Sequence, residues 1–112
     1  MLDHGLSFEP LLEYLPDNFD IYSIDLRGHG QSDWNPKSCS YNAMDFVVDT
    51  QHILKNFDLQ RSILIGHSFG GAIAYFCAAS SETQPAGLIL LDSPGPWPEF
   101  TSEYPKKFNK YL

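Results

Sequence analysis

Two short runs of continuous apolar residues stand out along the chain, each ended by a residue that breaks it. Ser62-Ile63-Leu64-Ile65 stops at Gly66, and Gly87-Leu88-Ile89-Leu90-Leu91 stops at Asp92. Apolar positions without alternation predict strands buried on both faces, as in a parallel sheet. A third stretch, Phe19 to Asp25, mixes Ile21 and Ile24 with aromatic and polar neighbours and runs into Arg27-Gly28-His29-Gly30. It predicts a strand followed by a turn-rich loop. Between the first and second of these strands in chain order, Met44, Val47, Val48, Leu54 and Phe57 fall at helical spacing, with Ser40 as a cap before them. That is an amphipathic crossover helix. From Phe69 to Ala79 the chain is rich in Ala and Gly and carries Ile73, Tyr75 and Phe76, so this helix is apolar around most of its circumference and is expected to be buried.

Strand, helix, strand, helix, strand is the alternation of an open α/β fold, with a mostly parallel sheet and helices on both faces. Ligand sites in such sheets form at the C-terminal ends of strands. The positions to inspect are therefore Asp25, Gly66 and Asp92. After Asp92, Pro94, Pro96 and Pro98 forbid regular structure and mark a boundary. Phe100, Tyr104, Phe108 and Tyr111 then recur at helix-like intervals despite Pro105. Met1 to Gly5 reads as the last residues of a strand whose beginning is absent, so both ends are expected to be cuts through a larger core.

The 112 residues allow one modest core, and a 43% hydrophobic content suits a globular chain. A formal net charge of -7 argues against a nucleic-acid partner, because phosphate binding depends on clustered Lys and Arg. Lys106, Lys107 and Lys110 read as a solvated end. Cys39 and Cys77 have neither C-x-x-C pairing nor a histidine at ligand spacing, so neither a disulfide nor a metal is implied, and no cofactor is expected. There is no signal-like opening and no apolar stretch near the roughly 20 residues of a membrane span. A soluble, reducing compartment, the cytoplasm, is the default expectation.

Gly66-His67-Ser68-Phe69-Gly70 has the G-x-S-x-G form of a nucleophile elbow, with an apolar strand before it and a helix after it. The elbow is a sharp, strained turn, and side chains at Gly66 or Gly70 are expected to collide with neighbouring backbone. Gly71 lets the helix approach the sheet. The helix N-terminus contributes about half a positive charge near Ser68, and the Phe69 N–H can donate to a developing oxyanion. The bland alternative is a glycine-rich turn with a chance serine.

Taken together, His4-Gly5, Asp25-Leu26-Arg27-Gly28-His29-Gly30-Gln31-Ser32-Asp33 and the elbow at Ser68 resemble, in order, three landmarks of the α/β-hydrolase family. The resemblance covers about Leu2 to Pro96. It implies a partial hydrolase core over 1–96 and the start of a lid over 97–112. It makes Leu6 the second backbone oxyanion donor beside Phe69. The Asp25–Asp33 loop is similar to one in the branch holding esterases, lipases, epoxide hydrolases and haloalkane dehalogenases. Its role there is architectural, with Gly28 and Gly30 supplying turns and Arg27, His29 and Asp33 tying the loop by side-chain hydrogen bonds. Because the last two of those enzyme classes use an aspartate where Ser68 stands, the serine favours a covalent acyl-enzyme. The resemblance places the acid and the histidine after the serine. Asp92 is the candidate acid, although its context also suits entry to the lid, and no histidine follows Ser68. His67 is read as structural, His52 as a surface residue and His29 as a loop tie. The implied function is a serine hydrolase acting on a small-molecule ester or related acyl bond, the piece itself lacking base and acid. The alternative is a non-catalytic hydrolase-fold protein that binds a ligand or partner. Phe8, Trp34 and Phe69 line a pocket mouth or else pack in the core or on the surface.

Overall fold

The computed structural model describes residues 4–80 and 83–93. The chain divides into two compact units, Met1–Tyr41 and Asn42–Leu112. The segment from 94 onward, including the expected lid start and its aromatic residues, lies outside the described residues.

The second unit is a βαβ layer preceded by a helix. Helix α2, which follows a shorter helix α1 (Glu9–Leu12) of the first unit, runs Ala43–Asn56 and begins with a reciprocal cap: Met44 N–H donates to Asn42 Oδ1 at 2.9 Å, and Asn42 N–H donates to Asp45 Oδ2 at 3.3 Å. The cap is therefore Asn42 and not Ser40, because only Asn42 has a carboxylate three residues on to close the box. At the other end Asp58 adopts φ 58, Leu59 N–H reaches Leu54 O at 2.6 Å and Asp58 N–H reaches Lys55 O at 3.3 Å. This is a Schellman ending, with an aspartate in the left-handed position that glycine usually fills.

Strand β1 (Ile63–His67) and strand β2 (Gly87–Leu91) pair in parallel, Ile63 opposite Gly87 and His67 opposite Leu91, with helix α3 (Phe69–Ala79) as the crossover between them. Helix α3 lies against both strands, and α2 packs on α3. Phe46, Val47, Leu54, Ile73, Ala74 and Cys77 form the buried core, and the Phe46 and Phe69 rings meet edge to face at 5.3 Å. Burying one such side chain contributes roughly 1.5–3 kcal/mol. Cys77 is fully buried, and its thiol, pushed up to about 12 by desolvation, points at Val47 O 3.7 Å away. It stays protonated and acts as a small apolar residue. The parallel pairing matches the expectation, whereas burial on both faces does not. Gly66 turns toward α3, but Ile63, Ile65, Ile89 and Leu91 on the opposite face remain exposed, Ile63 by 47%, and so does Leu90, the partner of Gly66. One helix across two strands covers one face, and that face only in part.

The first unit opens with a 3-10 turn, Gly5–Phe8, and one helical turn, α1 (Glu9–Leu12), with Pro10 in its first turn. His4 is extended, at φ -136 and ψ 171. Residues 19–25, expected as a strand, are not one. A strand exists only through a ladder with a neighbour, and none of the described residues pairs with this stretch. Its apolar side chains Ile21 and Tyr22 are exposed accordingly.

Candidate active site

The strand-to-helix junction is where the second unit places its strain. Ser68 adopts φ 50 and ψ -120, a region that costs an L-residue about 1–3 kcal/mol and needs surrounding structure to hold it. Three features do so. A Cβ on Gly66 would stand 2.5 Å from Gly70 O and 2.6 Å from Gly71 Cα, so the helix can start this close to β1 only over a glycine. Ser68 N–H donates to Leu91 O at 3.0 Å, which extends the β1–β2 ladder into the turn. Ser68 O accepts from Gly71 N at 3.0 Å and Ala72 N at 3.3 Å in the first turn of α3, and from Ser93 Oγ at 3.1 Å.

The Ser68 side chain is exposed and takes no part in capping α3. Phe69 is the first residue of that helix, where backbone N–H groups have no acceptor within the helix and carry its partial positive charge. An exposed hydroxyl beside an N–H at the start of a helix is the arrangement from which a serine can attack a carbonyl and an amide can receive the resulting oxyanion. The half-buried Phe69 ring packs edge to face on Phe46.

Gly70 corrects an expectation. An added Cβ there meets nothing within 4 Å, so Gly70 does not relieve a collision. The second crowded glycine is Gly71, where a Cβ would run into the Ser93 side chain and lie 3.1 Å from Gly66 O. Ser93 escaped the sequence reading because its contact with Ser68 spans 25 residues and no motif marks it. Asp92 is exposed, sits one residue past β2 and adopts φ 42. His67 is exposed at the end of β1, and His52 is exposed on α2.

In the first unit the motif residues converge on one carboxylate. Asp25 Oδ1 accepts from Gly5 N–H at 2.6 Å, and Asp25 Oδ2 accepts from Gln31 N–H at 2.9 Å. Asp25 O accepts from Ser32 Oγ at 2.6 Å. One side chain thus clasps His4-Gly5 to the Arg27–Gln31 loop. A Cβ on Gly30, which has φ 50, would overlap the same carboxylate, and a Cβ on Gly28, which has φ 72, would strike the Tyr41 ring. The Gln31 N–H, then the Gly5 N–H, hold the Asp25 pKa below its ordinary 3.8, with His4 and His29 adding in the same direction.

The loop ties differ in part from expectation. Arg27 Nη1 donates to Asn35 Oδ1 at 3.5 Å, and His29 Nδ1 lies 3.0 Å from Arg27 O. Asp33 contributes its backbone carbonyl, which accepts from Gly28 N–H at 2.8 Å, while its side chain is in an exposed residue. Leu6 is 59% exposed, with its carbonyl accepting from Glu9 N–H. Trp34 is exposed and Phe8 half-buried. Among the described residues no group of three or more His, Cys, Asp or Glu is placed to hold a metal ion, and no helix is long and apolar enough to cross a membrane.

The geometry can be set beside known proteins. A sequence model described as the alpha/beta hydrolase fold matches residues 1–112. The chain is 36% identical over 95 residues to a Drosophila melanogaster protein described as a probable serine hydrolase, covering 84% of this chain and 29% of that protein. It is 36% identical over 91 residues to the lipase LipV of Mycobacterium tuberculosis, covering 80% and 33%. A crystal structure of a hypothetical protein from Pseudomonas aeruginosa superposes with a TM-score of 0.75 at 28% identity, covering 86% of this chain and 34% of that one. The chain thus spans about a third of the length of these relatives.

Proposed function

The chain belongs to the alpha/beta hydrolase fold family, and from that premise we propose that it carries the nucleophile of a serine hydrolase acting on an ester or related acyl bond. One observation carries the reading: Ser68 is held at φ 50 and ψ -120 between a strand and a helix, exposed and unused as a cap. In this reading Ser68 Oγ attacks the acyl carbonyl, and the Phe69 and Leu6 N–H groups receive the oxyanion. The alcohol leaves with a proton, and water then hydrolyses the acyl-enzyme. Each oxyanion donor is worth about 10²- to 10³-fold in rate. Asp92, at the exit of β2, is the acid that orients a histidine base. Residues 1–96 belong to the catalytic core, and 97–112 open a lid.

No histidine follows Ser68 in this chain, so its own turnover is expected to be very low. Names such as lipase and methylesterase among its relatives support an ester as substrate. The test is intact-mass spectrometry after exposure to a fluorophosphonate, on this chain and on Ser68→Ala. The expected result is slow addition of one label at Ser68, absent from the variant and accelerated by added imidazole, which supplies the base. Labelling that persists in Ser68→Ala assigns the chemistry elsewhere. A folded chain inert even with imidazole favours a binding protein that keeps the elbow as architecture.

A further inference from the structure

Ser68 is held through both of its peptide groups, and both anchors come from one short stretch after β2. Its N–H donates to Leu91 O at 3.0 Å, and its carbonyl accepts from Ser93 Oγ at 3.1 Å. Asp92, at φ 42, turns the chain between them. The first anchor continues the β1–β2 ladder and belongs to the sheet. The second is a side-chain bond that neither ladder nor helix requires, because Ser68 O already accepts from Gly71 N at 3.0 Å and Ala72 N at 3.3 Å as α3 begins. Room is nevertheless kept for it: Gly71 has no Cβ, and one placed there would overlap the Ser93 side chain.

The Ser68 carbonyl is one end of a peptide group whose other end is the Phe69 N–H. That group is planar and trans, so the carbonyl and the N–H point in opposite directions and can only turn together. Whatever fixes Ser68 O therefore fixes the direction of the Phe69 N–H. The bond acts on strength as well as direction. A donor at the carbonyl oxygen draws electrons from the amide nitrogen and makes its N–H a better donor, by roughly 10–30% for each bond in such a chain. An oxyanion donor contributes most when it is aimed before the charge develops. The Gly71 and Ala72 amides come with the helix itself, whereas Ser93 Oγ reaches the same oxygen from outside it, across 25 residues.

We propose that Ser93 is a positioning residue for the oxyanion donor: by donating to Ser68 O, its hydroxyl aims the Phe69 N–H and strengthens it. The proposal rests on the reading of Ser68 as a nucleophile and deepens it. Ser93 acts through the peptide group between residues 68 and 69 and touches none of the reacting atoms. The exit of β2 thereby acquires a part in the reaction that needs neither an acid nor a base.

The test follows the Phe69 backbone amide by NMR, and the rate of fluorophosphonate labelling in added imidazole, for this chain, Ser93→Ala and Ser93→Thr. In the labelling step a bond forms from Ser68 Oγ to phosphorus, fluoride leaves, and the hydroxyl proton passes to imidazole while the phosphoryl oxygen gathers charge. Ser93→Ala is expected to move the Phe69 amide proton upfield and to slow labelling about tenfold, less than the roughly 10²- to 10³-fold of losing a donor outright. Ser93→Thr, which keeps the hydroxyl, is expected to restore both. The amides of Ile63, Leu64 and Ile65 are expected to stay where they are, which separates an aimed peptide from a loosened fold. A Phe69 amide unmoved in Ser93→Ala, a labelling rate equal to the parent's, shifts that spread through those strand residues, or a threonine variant that behaves like the alanine one overturns the proposal. If the parent itself does not label, the nucleophile reading fails instead, and the Phe69 amide alone decides whether Ser93 holds that peptide.

Discussion

The elbow around Ser68 and the clasp around Asp25 both hold a short loop in a demanding shape, by different physics. At the elbow the constraint is steric and backbone-borne: a missing Cβ at Gly66, a ladder bond from Ser68 to Leu91, and the first turn of α3 closing on Ser68 O. At the clasp it is electrostatic, a single carboxylate accepting from Gly5 and Gln31. The first kind of constraint is indifferent to pH and intolerant of volume. The second is crowded as well, at Gly28 and Gly30, but fails when one group is neutralised.

The largest effect is expected where volume is added at the elbow. Gly66→Ala places a methyl against backbone that cannot move aside, and a loss of about 3 kcal/mol is expected in urea unfolding. A variant as stable as the parent breaks the comparison. Next comes the charge. Because the Asp25 pKa is lowered in the folded chain, its stabilisation is present above 3.8 and is lost as pH falls through the lowered folded value. In Asp25→Asn the Gly5 and Gln31 amides are expected to lose hydrogen-exchange protection at neutral pH while the amides of β1 keep theirs. Loss of protection in β1 as well would mean that the two constraints are not separate.

Smaller effects sharpen the contrast. Ser93→Ala removes the hydroxyl that donates to Ser68 O, and about 1 kcal/mol is expected. Gly70→Ala adds a methyl to open space near the start of α3, so it is expected to be neutral or to stabilise by about 0.5 kcal/mol, opposite in sign to Gly66→Ala. Two glycines of one motif would then separate into one required for packing and one that is not. A matching loss at both would mean that Gly70 is crowded in solution.

What the sequence made legible is what depends on near neighbours in the chain. The elbow, the extent of α3 and the second strand follow from short apolar runs and a glycine pattern. The features it concealed depend on partners chosen from afar or on reciprocal local choices. Residues 19–25 have strand-like composition but no ladder. Asn42 outcompetes Ser40 because Asp45 answers it, and Asp58 ends α2 in a position where glycine would have been recognisable. Ser93 and Asp25 act across 25 and 20 residues, and no local pattern encodes such a pairing. Gly70 misled because a motif glycine reads as a crowded one, when crowding is set by the direction its missing side chain would take.

The parallel pairing of β1 with β2 also fixes an order of events. Every rung, from Ile63 with Gly87 to His67 with Leu91, joins residues on opposite sides of α3, so none can form until the chain has closed a loop through that helix. The entropy of closure is spent before the first rung returns anything. Ser68 then depends on Leu91 and Ser93, which lie at the same end of the ladder. The reactive geometry thus forms with the sheet and not before it, and a chain without the pairing would leave the serine relaxed.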